Sequence, residues 1–369
     1  MRVALVTNMP APYRVPGYNI VHRRLQDDFK VLFCTRMEPN RHWNIPPMEF
    51  RHVFMEGKTY VKKDGTTFVH NNWQVFRELK AYRPDVVITG GFNPTMLYAF
   101  LYCQLHGVKH IPISDAWALS EQHLSTVHRI LRKIVYGRSA AFIACSEKGK
   151  AYYGSYGLRP ESVFISHYTI SKELFRNSRS FHERKYDLLF SGQFTERKNP
   201  LFFIKVAALL ARKKKDLQVL LLGDGPLKDT MFKALQDAGV SFDYGGYARQ
   251  EELPAHYANC RLFLFPTQYD AWGVVANEAS AAGTPVLTTP SAGCADELIV
   301  DGHNGYILPL EENAWAGKCL DLLHDEKKWT VFSSAAGALA QHFTHERAAA
   351  ALIDAGRFAT QAHNHKATS

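Results

Sequence analysis

Two carboxylates eight positions apart, Asp270 and Glu278, sit in the run YDAWGVVANEASAAGTPV (Tyr269–Val286), which is otherwise mostly apolar and small. RLFLFP (Arg261–Pro266) before it reads as a buried strand, so Thr267–Trp272 becomes a strand-to-helix loop. A helix is expected from about Gly273 to Ala282, ended by Gly283 and Pro285. Asp270 then lies on the loop, and Glu278 lies inside the helix, roughly 7 Å along its axis. The first-turn N–H groups, near Gly273 and Val274, have no acceptor within a helix and favour an anion such as phosphate. Carboxylates repel that anion, so they must serve another part of the same ligand. Vicinal hydroxyls of a ribose or sugar are groups that carboxylates hold well. The run therefore suggests a sugar–nucleotide diphosphate. The spacing leaves equally open an Asp that complements the helix dipole and a satisfied buried Glu.

Other segments carry weaker signals. LGDGPLK (Leu222–Lys228) has G-x-G after a strand, but Lys228 stands where a dinucleotide fingerprint needs its third glycine. TNMPAPYRVPGYN (Thr7–Asn19) is stiffened by three prolines and presents Tyr13 and Arg14 after the first strand. Arg14 could meet a phosphate there, or be a solvated loop residue. Gly90-Gly91 after DVVIT permits close approach of a ligand. RILRKIVYGR (Arg129–Arg138) puts Arg129, Arg132 and Lys133 on one helical side, as an interfacial helix on anionic lipid would, or as a sheet-covering helix with a basic rim. The six cysteines are scattered without a CxxC pair, which points to core residues rather than a zinc site or disulfides. No DxD motif demands a metal, no cofactor is expected, and no nucleic-acid module is evident.

These residues need a scaffold. Its 369 residues suggest two domains at roughly 100–200 residues each. In the first half VALVT (Val3–Thr7), KVLFC (Lys30–Cys34), DVVITG (Asp85–Gly90), HIPIS (His110–Ser114) and AAFIACS (Ala140–Ser146) read as strands. Helical patterns such as Met96–His106 and Val127–Tyr136 lie between them. The second half repeats the alternation with Tyr186–Gly192, Leu217–Gly225, Val240–Gly246, Arg261–Pro266 and Thr284–Thr289. Such alternation argues for α/β domains with parallel sheets. We expect domains over 1–168 and 186–345, a linker at 169–185, and a helix over about 346–365 packing back on the first domain. Trp43–Asn72 reads as a long excursion outside the core, and the tail after about His363 as frayed.

The net charge is +9, and residues 1–168 hold 22 Lys and Arg against 12 Asp and Glu, so all of the excess lies there. A basic first half suits an anionic partner such as a membrane surface. No window approaches the roughly 18 apolar residues of a membrane span, and MRVALVTN is too short for a signal-peptide core. A cytoplasmic protein, peripheral on the inner face of the membrane, is expected.

The chain resembles the retaining glycosyltransferases of family 4. D-x7-E before A-x-G-x-P-V is similar to that family's E-x7-E signature. FSGQFTERKNP (Phe190–Pro200), LLLGDGPLKD (Leu220–Asp229), YGGYARQEELPAHYANC (Tyr244–Cys260) and SAGCADELIVDGHNGYILP (Ser291–Pro309) match its other motifs in order. The resemblance is continuous over about Tyr186–Pro309 and lies only in layout before that. It implies a GT-B fold, two doubly wound Rossmann-like domains facing a central cleft. It implies transfer of a sugar, with retention, from a nucleotide diphosphate, UDP above others, to a glycan or lipid-linked acceptor of the cell envelope. Lys198 would neutralise the donor pyrophosphate, Glu278 would hold the ribose, and Asp270 the transferred sugar. Gly273 and Val274 would offer N–H groups to phosphate, and the Gly246–Tyr247 turn would meet the base. Gly192, Gln193, Arg197, Gly223 and Trp272 would complete the donor site; Tyr13, Arg14, Gly91 and Asp115 would face the acceptor. Gln193 stands where the family often has Arg, Asp270 where it has Glu, and Asp115 near a position where it often has His. That implies Asp115 as a group orienting the donor sugar or acting on the acceptor. The readings to set against it are a sugar-nucleotide epimerase of the same fold and a non-catalytic protein that binds anionic surfaces.

Overall fold

The computed structural model describes residues 1–41, 43–61, 68–122, 124–175 and 179–361. The chain divides into two compact units, Met1–Thr169 with the chain from His345 on, and Ile170–Thr344. The tail expected to fray and the last residues of the expected C-terminal helix lie outside the described residues.

The first unit has strands β1 (Val3–Thr7), β2 (Phe29–Phe33), β3 (Arg51–Phe54), β4 (Lys58–Val61), β5 (Phe68–Asn71), β6 (Val86–Gly90), β7 (Lys109–Ser114), β8 (Phe142–Ala144) and β9 (Val163–Ile165). Seven form one sheet of order β3-β2-β1-β6-β7-β8-β9, paired in parallel throughout, while β4 and β5 form a separate antiparallel hairpin. Side chains alternate across β1, as the period of a strand requires. Val3 and Leu5 join one apolar cluster with Leu352 and Ile353 of the helix His345–Gln361. Ala4 and Val6 join another with Leu79 and Met96 from helices on the opposite face. Covering both faces is why these strands read as continuous apolar runs. Burying Leu352 and Ile353 stabilises the closing helix on this unit by about 2 kcal/mol each.

One expectation is corrected here. The excursion Trp43–Asn72, read as lying outside the core, contains β3 of the main sheet and the hairpin strands, and it buries Phe50 and Met55 in the two core clusters. β3, RHVF, is a partly exposed edge strand with polar positions, so it lacks the apolar run of its neighbours.

The second unit has β10 (Tyr186–Ser191), β11 (Gln218–Leu222), β12 (Ser241–Gly246), β13 (Cys260–Phe265), β14 (Val286–Thr288) and β15 (Gly305–Ile307). They form one sheet, paired in parallel, of order β12-β11-β10-β13-β14-β15. The stretch read as a linker, 169–185, ends on an anchor. Arg184, 1% exposed, donates to the carbonyls of Cys260 (2.8 Å), Ala282 (3.1 Å) and Gly283 (3.1 Å), and to Thr284 Oγ1 (2.7 Å). The Ala282 and Gly283 carbonyls lie where the helix Val274–Ala281 ends, so a buried guanidinium satisfies groups that a helix C-terminus leaves open and ties them to the start of β13 at Cys260.

Candidate functional site

In the second sheet β10 and β13 are neighbours, but the strands that follow them lie on opposite sides. Loops leaving a parallel sheet at such a point diverge, and the crevice between them is where ligands of these folds bind. The loop after β10 carries Lys198, and the loop after β13 carries Asp270, so two residues 72 positions apart meet at one place.

Lys198 Nζ and Arg197 Nη1 both donate to Asp270 Oδ2, Arg197 at 3.0 Å. Asp270 Oδ1 accepts from the Trp272 backbone N–H at 3.3 Å. Burial works to raise the Asp270 carboxyl, but Lys198 and Arg197 outweigh it and hold the group below its usual value. Burial also lowers the Lys198 ammonium, against the pull of Asp270. Two cations sharing one carboxylate leave a net positive charge. Arg197 is held over the Tyr269 ring and donates to the Tyr269 carbonyl at 3.1 Å, while its own carbonyl accepts from the Gln268 N–H at 2.9 Å.

The helix Val274–Ala281 starts from Gly273 at φ 101°, and a Cβ there would lie 2.6 Å from the Phe265 ring. Only glycine accepts both constraints. The helix therefore begins packed against Phe265, the last residue of β13, with Val274 in its first turn and Glu278 in its second. Burial raises the Glu278 carboxyl to about 7, opposed by a hydrogen bond from the Tyr257 hydroxyl. Tyr257, fully buried, also bonds Ser191 Oγ at 2.8 Å, and Ser191 is the last residue of β10. Sequence reasoning missed Tyr257 and Ser191; neither is marked by spacing, and only the strand order brings them to Glu278.

The ends of β10, β11 and β12 converge on glycines. Gly223 has φ 124°, and a Cβ there would sit 1.9 Å from the Gly192 carbonyl oxygen. Its N–H donates to the Gly246 carbonyl at 2.7 Å. The Gly246–Tyr247 turn follows, with Tyr247 49% exposed. Gln193 is half-buried in the loop after Gly192. The Trp272 indole is different: it is fully buried, packs on Phe343 and donates from Nε1 to Asn277 Oδ1 at 2.7 Å. Its ring is taken up by the core, so only its backbone faces the loop.

In the first unit, Arg14 follows β1 and turns inward. It donates to Ser166 O and Oγ (both 3.0 Å), His167 O (3.3 Å) and Cys145 Sγ (3.0 Å), and lies over the Tyr168 ring. Tyr13 packs edge-on to Tyr168 and Trp43, and burial raises its phenol to about 12. Asp115 is exposed after β7 and accepts from the Tyr168 hydroxyl at 3.1 Å, so Tyr168 joins three of these residues. Gly91, at φ 88°, has open space where a Cβ would stand. The helix Thr126–Gly137 corrects one reading. Arg132 is buried against Glu121 (2.6 Å) and over Phe92, and does not share the exposed side with Arg129 and Lys133. Val127, Ile130 and Ile134 are exposed instead, at 73%, 53% and 42%. Among the described residues no group of His, Cys, Asp and Glu is arranged to hold a metal ion. Among the described residues, no helix is long and apolar enough to cross a membrane.

Residues 171–338 match the family model of glycosyl transferases group 1, a stretch that contains Lys198, Asp270 and Glu278. D-inositol 3-phosphate glycosyltransferase of Arthrobacter sp. (strain FB24) is 32% identical over 177 residues, 46% of this chain and 42% of that protein. A Campylobacter jejuni undecaprenol-linked α-1,4-N-acetyl-D-galactosaminyltransferase is 25% identical over 253 residues, 68% of each chain. The chain spans 29–46% of the length of the first three curated relatives it matches. Anabaena HepE, solved with UDP and glucose, superposes with a TM-score of 0.73 at 16% identity over 96% of this chain and 99% of that one. WaaG, a glycosyltransferase involved in lipopolysaccharide biosynthesis, superposes with a TM-score of 0.68 at 17% identity over 95% and 99%. The fold is that of the GT-B glycosyltransferases.

Proposed function

We propose that the chain is a nucleotide-sugar-dependent glycosyltransferase acting with retention, with its donor site at the crevice after β10 and β13. The observation that carries this reading is the convergence of Lys198, Arg197 and the Trp272 N–H on one carboxylate just before the helix Val274–Ala281, with Glu278 in the second turn of that helix. The surplus positive charge and the first-turn N–H groups suit a diphosphate. Asp270 orients the two cations, and turns towards a hydroxyl of the transferred sugar once phosphate draws them away. Glu278 accepts from the ribose hydroxyls, and the Gly246–Tyr247 turn takes the base. UDP is the favoured nucleotide, since Anabaena HepE and S. aureus TarM are both solved with it.

In the transfer step, the bond from the sugar anomeric carbon to the phosphate oxygen breaks while the acceptor oxygen bonds to the same face of that carbon. The acceptor proton passes to the departing phosphate oxygen, whose charge Lys198 stabilises. The acceptor, a glycan or lipid-linked sugar of the cell envelope, falls to the first unit, with Asp115 and Gly91 at strand ends there. Arg14 serves by holding Tyr168 and the chain at Ser166–His167 in place, rather than by meeting a phosphate. The exposed stripe Val127, Ile130 and Ile134 beside Arg129 and Lys133 suits an anionic membrane surface. Sedimentation with anionic vesicles should fall with added salt.

The anomeric configuration of product formed from UDP-glucose, UDP-galactose and UDP-N-acetylglucosamine, followed by proton NMR, tests the reading. An α-linked product from an α-linked donor is expected. A β-linked product, or no turnover of these donors or GDP-mannose, overturns it.

A further inference from the structure

The hairpin β4–β5 is an element that the doubly wound pattern of the first unit does not require. It is nonetheless fastened to the carboxyl end of the sheet by buried polar groups. Asn72, just past β5, donates from Nδ2 to the carbonyls of Cys34 (3.0 Å) and Met55 (3.2 Å), which follow β2 and β3. Its N–H donates to Thr95 Oγ1 at 2.9 Å, in the helix after β6. His70, fully buried, lies between Thr59 Oγ1 (3.0 Å) and Glu38 Oε1 (3.1 Å), and its N–H donates to Asn93 Oδ1 at 3.1 Å. A satisfied buried network of this kind fixes one geometry.

What it holds in place is aromatic. Trp73 follows Asn72 directly, and its side chain is 63% exposed. Tyr98 stacks on it at 4.1 Å and 20°, and Phe76 at 6.0 Å and 18°, so the indole lies flat on a base of rings. The Tyr98 hydroxyl donates to Asn71 Oδ1 at 3.1 Å. Asn71 pairs with Lys58 across the hairpin, and alternation puts Tyr60, 52% exposed, on the same side as these two and opposite His70. An open indole, a phenol and an amide thus share one surface.

Such an arrangement selects its partner by chemistry. Among the described residues, the exposed charges near it in the chain, Glu56, Lys58 and Arg77, are of mixed sign and single out no anionic partner. A flat apolar ring next to an amide matches a pyranose, which has an apolar C–H face and hydroxyls at its rim. We propose that a neutral pyranose unit of a glycan stacks on Trp73, with its hydroxyls at Asn71 and its edge against Tyr60. Its role as a remote subsite for a glycan acceptor rests on the glycosyltransferase reading; the stacking itself does not.

The test uses full-length protein containing fluorotryptophan, with the Trp73 resonance assigned through Trp73→Phe. Maltohexaose, cellohexaose and chitohexaose are titrated to about 20 mM, above the millimolar dissociation constant one stacked ring can give. A saturable shift of the Trp73 resonance with at least one sugar, weakened about tenfold by Asn71→Ala, is expected. No shift with any of the three overturns the subsite. So does a Trp73 resonance that moves with protein concentration alone, which makes the surface a self-association face. Calorimetry with UDP, GDP, dTDP and CDP separates the two readings. Sugar binding at Trp73 without binding of any nucleoside diphosphate refutes the transferase reading and leaves the subsite standing; the reverse refutes the subsite alone. In a working assay, Trp73→Ala should raise the acceptor KM about tenfold and leave kcat and donor KM unchanged.

Discussion

Replacing Glu278 with glutamine should make the protein more stable and a poorer binder, in a manner set by pH. Burial raises the Glu278 carboxyl from 4.5 to about 7 while the Tyr257 hydroxyl opposes it. One unit is worth 1.36 kcal/mol, so the displacement amounts to about 3 kcal/mol at most. Because the folded state holds this proton more tightly than the unfolded chain, stability from this group is full below 4.5, declines as pH rises to about 7, and is level above that. Glutamine still accepts from Tyr257 but cannot ionise, so the variant escapes the decline. Its gain over the parent should be near zero around pH 4 and reach at most ~6–12 °C in Tm around pH 8, for a unit of this size. Calorimetric melts of the full chain across that range measure it. Binding of UDP should weaken at every pH, because an amide replaces the carboxylate at the ribose. A Tm difference that does not change with pH would mean that Glu278 ionises as a solvated carboxylate, and the buried placement beside Tyr257 would be wrong.

Lys198→Met should lower transfer about 10²–10³-fold, the usual cost of losing one group that stabilises a developing anion. It should also raise the Asp270 carboxyl, which would lose one of the two cations that hold it down; initial-rate kinetics and carboxylate NMR read the two effects. Gly223→Ala should destabilise the second unit by at least ~2 kcal/mol, since the backbone sits at φ 124° with the Gly192 oxygen 1.9 Å from a Cβ. An unchanged Tm would contradict that placement. His110 is buried between Thr89 Oγ1 (2.9 Å) and Ser139 Oγ (2.8 Å), and burial lowers its imidazole from 6.5 to about 3. The unfolded chain takes up this proton first, so the first unit should lose stability as pH falls from 6.5 towards 3. Denaturant titrations of His110→Gln should show a flatter acid limb.

Much of the scaffold was legible because buried parallel strands announce themselves as apolar runs. VALVT matches β1 residue for residue, and Tyr186–Gly192 and Arg261–Pro266 miss β10 and β13 by a residue at one or both ends. What could not be read was order. That β10 and β13 are neighbours follows from pairings such as Leu188 with Leu262, and only this brings Lys198 to Asp270. Glu278 stood out as a lone acid in an apolar helix, but its partner Tyr257 precedes β13 with no spacing to mark it. Arg14 looked like a loop cation because its acceptors, two main-chain carbonyls and two side chains, lie 131–153 residues away, invisible to any local pattern. Arg132 was misplaced because its partner, Glu121, lies beyond the helix that defines its face. Short edge elements, β3 and the hairpin, carry polar residues and were passed over for that reason.

The central claim is that the crevice after β10 and β13 holds a nucleoside diphosphate. The most direct measurement is the melting temperature of the purified chain with UDP, GDP, dTDP, CDP or NAD, repeated with Lys198→Ala and Glu278→Ala. Ligand at about 100 times its dissociation constant adds roughly 2.7 kcal/mol. A rise with UDP, absent with NAD and lost in both variants, is the result predicted here. No rise with any nucleoside diphosphate, or a rise that both variants keep, would contradict it.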